Sequence, residues 1–389
     1  MGDIEPPAVI IKVVGSMAAI DREDWDACAG PDNPFVSHAF LEALEESGSA
    51  TAKTGWAPYH LVIEDNDGRL IGGAPMYVKS HSQGEYIFDH AWAHAYEQAG
   101  GAYYPKLLIA VPFTPATGPR LLVRPGEDSI QVGSNLLAGA LEAARQTKVS
   151  SLNINFPTEG EWHRLGEAGF LRRTGEQFHW LNAGYETFDD FLAALSSRKR
   201  KAIRRERRGA TATGLEIETI TGGAIREDHW DAFFGFYMDT GRRKWGRPYL
   251  TRKFFSIIGE TMPGNVVLIL AKREGTYIAG ALNFTGSDTL FGRYWGCAED
   301  HPFLHFEVCY YRAIDYAIKH GLARVEAGAQ GPHKLSRGYL PTHTYSAHWI
   351  RDKGFRDAVT DYLKRERFAV DHDIDMLDAF SPFKKSEDA

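Results

Sequence analysis

Two stretches of this 389-residue chain occur twice, in the same order and at nearly the same spacing. Residues 19–27 (AIDREDWDA) return as residues 224–232 (AIREDHWDA), and residues 67–77 (DGRLIGGAPMY) return as residues 274–284 (EGTYIAGALNF). Self-similarity at a fixed spacing is the signature of a repeated structural unit, and two separated matches in one register are hard to obtain by chance. The chain is therefore predicted to carry the same fold twice.

Each copy has the same predicted order of elements. An alternating strand comes first, followed by one or two amphipathic helices, a hairpin around an Asp-Gly or Glu-Gly turn, a longer helix and a final strand. This order predicts an α/β fold in which helices cover both faces of a mixed sheet. We place the two domains at residues 1–182 and 214–389, with a connector over residues 183–213.

The composition limits the kinds of partner. A net charge of −7 disfavours non-specific binding of nucleic acid by the whole molecule, so an anionic partner requires a local basic patch. The three cysteines, Cys28, Cys297 and Cys309, form no C-x-x-C pair, which predicts neither a disulfide framework nor a thiolate metal site. No apolar run is long enough to span a bilayer and the N-terminus lacks a signal-peptide pattern, so we expect a cytoplasmic protein.

The connector carries the strongest local charge. After an amphipathic start at residue 188, it is predicted to continue as a helix with a dense run of cations, in which neighbouring like charges repel each other. An anionic partner would offset that repulsion, whereas the alternative is a solvated helix facing the acidic remainder of the protein. The candidate RNA- or phosphate-binding residues are Arg198, Arg200, Lys201, Arg204, Arg205 and Arg208.

A second candidate region follows the helix predicted over residues 305–320. The helix is expected to stop at Gly321, a short strand to span residues 323–327, and a loop rich in glycine and in His, Lys and Arg side chains to come next. Glycine allows a close approach of the backbone to a ligand, and the basic side chains attract negative charge. This loop is predicted to form one wall of a site for an anionic or carbonyl-bearing substrate, the alternative being an ordinary solvated loop.

Together these features resemble the FemAB-like family, the peptidoglycan biosynthesis or recognition proteins of the GNAT (acyl-CoA N-acyltransferase) superfamily. The resemblance covers nearly the whole chain. It implies two tandem GNAT-like domains and transfer of an aminoacyl group from aminoacyl-tRNA to an amine of a peptidoglycan precursor. The most specific stretches are FDHAWAHAYEQ, YYPKLLIAVPFTPATGPRLL, KWGRPYLT, FGRYWG, FEVCYY and EAGAQGPHKLSRGY.

Residue chemistry distinguishes two acyl donors. Enzymes that use acyl-CoA hold its pyrophosphate on a Gln/Arg-x-x-Gly-x-Gly/Ala loop at a helix N-terminus, where bare backbone amides attract the anion. Residues 124–135 and 296–307 do not fit this pattern, and their acidic Glu127, Asp128, Glu299 and Asp300 would repel a pyrophosphate. We therefore favour aminoacyl-tRNA, expect no tightly bound cofactor, and keep an acetyl-CoA-dependent N-acetyltransferase as the alternative.

His90 and His94 have metal-ligand spacing on a predicted helix, but no third ligand follows at a recognisable spacing, so we predict no metal. A protein that binds a cell-wall precursor or RNA without catalysis is the alternative from a different class. The sequence leaves open the acyl group, the amine acceptor, which is a small molecule or a peptide, and the oligomeric state.

Amide formation requires donors for a tetrahedral oxyanion and a route for the amine proton. Lys334, Arg337 and Arg293 are the candidates for contacts with the oxyanion or a substrate anion, and Glu307, His333 and Glu326 are the candidates for the proton. The predicted catalytic set is Glu307, His333, Lys334 and Arg337. The predicted substrate-binding set is Arg293, Trp295, Tyr311, Gln330, Trp245 and Lys106.

Overall fold

A computed structural model describes residues 10–212, 214–244, 248–328 and 331–384. The chain divides into two compact units. Unit 1 comprises residues 1–175 and 344–368, and unit 2 comprises residues 176–343 and 369–389. The first half of the chain contains β1 (Ile10–Val14), α1 (Arg22–Ala29), α2 (His38–Glu46), β2 (Trp56–Pro58), β3 (His60–Glu64), β4 (Leu70–Ala74), β5 (Met76–Lys79), α3 (His90–Gln98), β6 (Lys106–Ile109), β7 (Leu122–Val123), α4 (Ser129–Gln146), β8 (Ser151–Asn155), α5 (Glu159–Glu167) and β9 (Leu171–Leu181).

The second half begins with the basic segment. It contains α6 (Phe188–Ala194), α7 (Ser197–Thr211), β10 (Glu216–Thr221), α8 (Glu227–Lys244), α9 (Arg252–Thr261), β11 (Val266–Arg273), β12 (Thr276–Thr285), β13 (Thr289–Cys297), α10 (Leu304–Phe306), α11 (Arg312–Lys319), β14 (Arg324–Glu326), β15 (Leu340–Ile350) and α12 (Lys353–Asp378). A π-helical segment, Glu307–Tyr311, joins α10 to α11, and a 3-10 helix, Pro332–Arg337, precedes β15.

Unit 1 has two groups of hydrogen-bonded strands. Strands β1, β3, β4 and β7 pair antiparallel in that order. Strands β2, β5, β6, β8 and β15 form the second group, in which only β6 and β8 run parallel. Helices α4 and α5 pack on this unit through a core that includes Leu136, Trp162 and the inward residues Leu152 and Ile154 of β8.

Unit 2 has one mixed sheet in the order β10, β11, β12, β13, β14, β9. All its pairs are antiparallel except β13 with β14, which run parallel. The parallel pairing is short, since it ends at Phe291 and Glu326 while β13 continues to Cys297. The two strands therefore part, and β13 beyond Phe291 has no ladder pairing with β14 among the described residues.

The last strand of each sequence copy belongs to the sheet of the other copy. Residues 179–181 of β9 pair with β14 in unit 2, and residues 346–350 of β15 pair with β8 in unit 1. Burial explains the exchange, because Phe178 and Trp180 enter the core of unit 2 whereas Ala347 enters that of unit 1. The observed division differs from the predicted one for this reason, and the basic connector is part of unit 2.

Candidate functional site

Helix α7 is the element around which the candidate site of unit 2 is built. Only a narrow stripe of α7, including Ile203 and Ala210, is buried, because nearly every other position is charged. A Cβ atom at Gly209 would lie 2.8 Å from the ring of Phe303, so glycine is needed where the helix approaches that residue. The basic face of α7 lines a cleft.

This basic cleft has a volume of about 820 Å³ and lies between α7 and the 3-10 helix Pro332–Arg337. Its charged lining is almost entirely positive, which gives it an attraction for anions that the acidic molecule as a whole does not have. The lining residues are Arg198, Lys199, Lys201, Ala202, Ile203, Arg204, Arg205, Glu206, Arg208, His333, Ser336 and Arg337.

Five of the six predicted phosphate-binding residues line the basic cleft, and Arg200 is the exception. Arg204 also forms a 2.9 Å ion pair with Asp189, in which both side chains are largely exposed. Lys199 and Ser336 were not among the predicted residues, although the Lys199 ammonium donates a 2.8 Å hydrogen bond to the Ser336 hydroxyl across the cleft. Their contribution depends on a contact between segments 137 positions apart, which local pattern does not report.

His333 stands on the rim of the cleft, within a group of aromatic rings. Its Nε2 atom shares a 3.0 Å hydrogen bond with the Tyr310 hydroxyl, and its ring lies 5.8 Å from that of Phe306. Burial raises the pKa of Tyr310, so this hydroxyl stays protonated at neutral pH. The side chain of His333 is exposed, which leaves an imidazole at the cleft surface with a fixed partner behind it.

The aromatic group reaches the point where β13 and β14 part. The ring of His305 lies 6.2 Å from His333 and 5.2 Å from Trp295. Trp295 and Arg293 both belong to the part of β13 that has separated from β14, and the Arg293 guanidinium lies 5.2 Å from the Tyr294 ring centre. The structure thus brings Trp295 and His333 into one region of unit 2 through His305, whereas the contact of Arg293 is with Tyr294.

Lys334 is directed inward rather than into the cleft. It is 2% exposed, and its ammonium donates hydrogen bonds of 2.6 and 2.8 Å to the carbonyl oxygens of Ala327 and Gly328. Burial lowers the pKa of Lys334 to about 8. The side chain therefore holds the backbone that leaves β14, and a direct contact with an oxyanion would require these hydrogen bonds to be exchanged.

Glu307 is also occupied by protein groups. The carboxylate is 1% exposed and receives 3.1 Å hydrogen bonds from both Nε and Nη2 of Arg207 and a 3.0 Å hydrogen bond from Arg312. Arg207 also donates a 2.6 Å hydrogen bond to Asp315. This geometry anchors α7 to the π-helical segment, so a structural role for Glu307 follows from the contacts directly.

The remaining predicted residues have different locations. Glu326 is 6% exposed, with the His179 Nε2 atom 3.9 Å away, and Tyr311 is fully buried with its hydroxyl donating to Glu206. Gln330 and Trp245 lie outside the described residues.

Lys106 belongs to unit 1 and is fully buried. Its ammonium donates 2.8 Å hydrogen bonds to Ser82 and Glu85 and a further hydrogen bond to Asp89. The predicted role of Lys106 in substrate binding is not supported by this placement, because all three donors of the ammonium have protein acceptors.

Lys79 lies opposite Lys106 on β5 and is buried to the same degree, yet its ammonium has no hydrogen-bond acceptor among the described residues. The nearest carboxylate oxygen is that of Glu85 at 3.9 Å, and the Trp56 ring centre is 3.6 Å away. Burial lowers the pKa of Lys79 to about 7, which places part of the population in the neutral form at physiological pH.

We expect Lys79→Met to stabilise the protein by about 1–3 kcal/mol at pH 6, because it removes a buried ammonium without a close acceptor. A lysine with a lowered folded-state pKa makes stability rise with pH between the folded and unfolded values, here from about 7 towards 10.5. The advantage of the variant should therefore shrink above pH 7. Urea unfolding at pH 6 and pH 9 measures the free energy of unfolding of the variant and of the wild type. Lys353→Met is the control, because the Lys353 side chain is 79% exposed. A Lys79→Met variant that is less stable than the wild type at pH 6 would contradict the prediction.

Within the described ranges, no three His, Cys, Asp or Glu side chains lie close enough together to share a metal ion. Helices long and apolar enough to cross a bilayer are likewise absent from the part of the chain that the structure describes.

Comparison with solved structures confirms the predicted fold class. FemX is similar with a TM-score of 0.56 and 14% identity, covering 88% of this chain and 98% of FemX. The C-terminal domain (DUF2156) of a putative lysylphosphatidylglycerol synthetase from Agrobacterium fabrum has a TM-score of 0.56 and 12% identity, with coverage of 91% and 98%. L-PGS from Bacillus licheniformis has a TM-score of 0.51 and 11% identity, with coverage of 83% and 94%.

These likenesses show that the chain shares its mixed α/β architecture with FemX and with the lysylphosphatidylglycerol synthetase domain over most of its length. The family model for FemAB-like proteins, described as peptidoglycan biosynthesis/recognition, matches residues 16–385. The chain therefore belongs to the FemAB-like family, as its sequence predicted. A comparison with curated protein sequences finds no match.

Proposed function

We propose that this FemAB-like protein is an N-acyltransferase that moves an aminoacyl or acyl group from an activated donor, preferably aminoacyl-tRNA, to an amine. The observation that carries the proposal is the basic cleft on α7, whose lining is dominated by Lys and Arg side chains. A nucleic-acid backbone is held chiefly by such cations, independently of its sequence. An aminoacyl-tRNA donor also places the reaction in the cytoplasm.

The reaction balances without a cofactor. The neutral amine attacks the ester carbonyl and forms the C–N bond of a tetrahedral intermediate. The intermediate collapses as the C–O ester bond breaks, and the ribose hydroxyl leaves with the proton that the amine loses. Of the three predicted proton acceptors, His333 is the most suitable for the amine proton, because its imidazole is exposed at the cleft and hydrogen-bonded to Tyr310. The acceptor amine proposed from the family is that of a peptidoglycan precursor.

The acceptor amine and the acyl group of the donor are proposed to meet beside the point where β13 and β14 part. This point lies next to Trp295, His305 and His333, so a carbonyl held there is within reach of the cleft rim. The end of this pairing is also the observation that favours acyl-CoA as a second donor, because an extended ligand can lie alongside a strand where its neighbouring strand ends. Direct binding measurements distinguish the two donors.

Neutralising the basic cleft is the test of RNA binding. We expect the variant Arg198→Gln/Lys201→Gln/Arg205→Gln/Arg208→Gln to weaken binding of aminoacyl-tRNA and to flatten the dependence of log K on log salt by about 3–4, because each lost phosphate contact lowers the slope by roughly one. Fluorescence anisotropy at several salt concentrations measures both quantities.

A matched control removes four exposed cations elsewhere: Arg226→Gln/Lys319→Gln/Lys353→Gln/Lys364→Gln. It changes the net charge equally, so an equal loss in the two variants would mean that binding is not localised in the cleft. Amide formation from labelled aminoacyl-tRNA and an added amine is then the catalytic assay. Binding of acetyl-CoA in the absence of RNA binding would overturn the aminoacyl-tRNA donor and support the second donor.

A further inference from the structure

Among the described residues that line the basic cleft, Glu206 is the one carboxylate. Nη2 of Arg337 donates to both of its oxygen atoms, at 3.0 and 2.9 Å, and the Tyr311 hydroxyl donates to one of them. The side chains of Arg337 and Glu206 are 8% and 12% exposed. The Glu206 carboxylate thus forms an ion pair with Arg337 in a cleft whose other charged side chains are basic.

Arg337 is held in place independently of this carboxylate. Its Nη1 atom donates a 2.7 Å hydrogen bond to the His333 carbonyl, and its guanidinium lies 3.4 Å from the centre of the Phe306 ring. Removal of Glu206 would therefore leave the guanidinium oriented at the cleft. Phosphate and carboxylate oxygens bind guanidinium groups in the same charge-assisted geometry, so either anion can fill this position.

We propose that Glu206 is a displaceable internal occupant of an anion subsite formed by Arg337, and that a phosphate of the donor takes its place. The inference rests on the proposed function, in which the cleft holds a phosphate-bearing donor. The cations of α7 attract the incoming phosphate, while Tyr311 keeps a hydrogen bond to the released carboxylate. Glu206 then sets the affinity of the subsite by competing with the substrate for Arg337.

The sign of a single substitution tests the proposal. Glu206→Gln keeps the shape and the hydrogen-bonding capacity of the side chain but removes its charge, so we expect deacylated tRNA to bind on the order of tenfold more tightly at fixed salt, as expected for one competing charge-assisted contact. If Glu206 merely supports the cleft, affinity would fall or stay unchanged, and either result overturns the proposal. Inorganic pyrophosphate as a second probe shows whether the phosphate alone, without the nucleoside, gains in the same way; a gain restricted to RNA would assign the subsite to an RNA phosphate.

Removing any carboxylate near α7 raises its attraction for anions, so a matched charge control is required. Asp189→Asn removes one negative charge from α6; Asp189 pairs with Arg204 of α7 and not with Arg337. Because that pair is exposed, the substitution should strengthen binding by less than about threefold. In an Arg337→Gln background, Glu206→Gln should gain less than about twofold. An equal gain in both backgrounds would reject Arg337 as the competing group.

The same experiment separates the two proposals. If the wild-type protein binds neither deacylated tRNA nor pyrophosphate and the Glu206→Gln variant also fails to bind, the proposed aminoacyl-tRNA donor fails. If the wild type binds in a salt-dependent manner but Glu206→Gln does not strengthen binding, only the inference about Glu206 fails. Circular dichroism and thermal unfolding of each variant verify that the fold is retained.

Discussion

Lys106→Met is expected to destabilise the protein by about 3–5 kcal/mol, because it leaves two buried carboxylates without their shared cation. Glu85 and Asp89 have side chains that are 2% and 4% exposed, and both accept from the Lys106 ammonium. Burial already raises the pKa of Glu85 to about 6 in the presence of the lysine. Without Lys106, Asp89 keeps the 2.7 Å hydrogen bond from the Tyr103 hydroxyl, and Glu85 keeps, among the described residues, only the Lys79 ammonium at 3.9 Å.

The pH dependence of this variant should identify the cause. An acid whose folded-state pKa is raised loses stabilisation as pH rises from its unfolded value through its folded value. The loss in Lys106→Met should therefore be smallest near pH 5, where Glu85 is largely protonated, and should grow towards pH 7. Urea unfolding at pH 5, 6 and 7 measures the change in the free energy of unfolding.

Lys79→Met is the matched control for Lys106→Met. The two lysines lie opposite each other on β5 and β6 and are equally buried, but only Lys106 is satisfied by acceptors. Opposite signs of the stability change are expected from the same chemical substitution. If Lys106→Met does not fold, the triple variant Lys106→Met/Glu85→Gln/Asp89→Asn should recover a folded protein; a cost below about 1 kcal/mol for Lys106→Met alone would contradict the argument.

Arg207→Met is expected to cost about 2–4 kcal/mol, since it removes the bidentate partner of the buried Glu307 carboxylate. The estimate is lower than for Lys106 because Arg312 continues to donate to Glu307 and because Arg207 is 24% exposed. Glu307→Gln in the Arg207→Met background should restore part of the loss. The coupling energy from this double-mutant cycle measures the interaction directly.

Arg204→Met supplies the control on the same helix. Arg204 pairs with Asp189 at the surface, so its replacement should change stability by less than about 0.5 kcal/mol.

The double-mutant cycle of Arg207 and Glu307 also decides the predicted role of Glu307 as proton acceptor. Glu307→Gln that abolishes amide formation while leaving stability unchanged would favour catalysis, whereas coupled losses of stability with Arg207 would favour the anchoring role that the contacts indicate.

Several structural features were predictable because they depend on neighbouring residues. The repeat and the order of elements gave the fold class, and the helix ends near the predicted Gly321, which adopts a φ of +66°. The basic helix was predicted from its charge, and the structure adds a break, with α6 ending at Ala194 and α7 beginning at Ser197. Hydrophobic periodicity and turn residues act locally, so they predict helices, strands and turns independently of the tertiary contacts.

The roles of individual charged residues were less predictable. Glu206 is one acid among many cations in sequence, and nothing local indicates that it would pair with Arg337 across 131 positions. Lys106 follows two tyrosines and a proline and was predicted to bind substrate, yet its strand pairing places it fully inside unit 1. The sequence alone does not distinguish a charged side chain that lines a cleft from one that pairs with a buried counter-ion.

The sequence by itself determined the duplicated α/β fold, the FemAB-like family and the presence of a concentrated basic helix. Only the tertiary structure decided that β9 and β15 are exchanged between the sheets, that α7 belongs to unit 2, and that Glu307 and Glu206 are held by arginines. The physical reason is that strand pairing and buried ion pairs join residues distant in sequence. Their free energy depends on desolvation and on partners that local patterns do not specify.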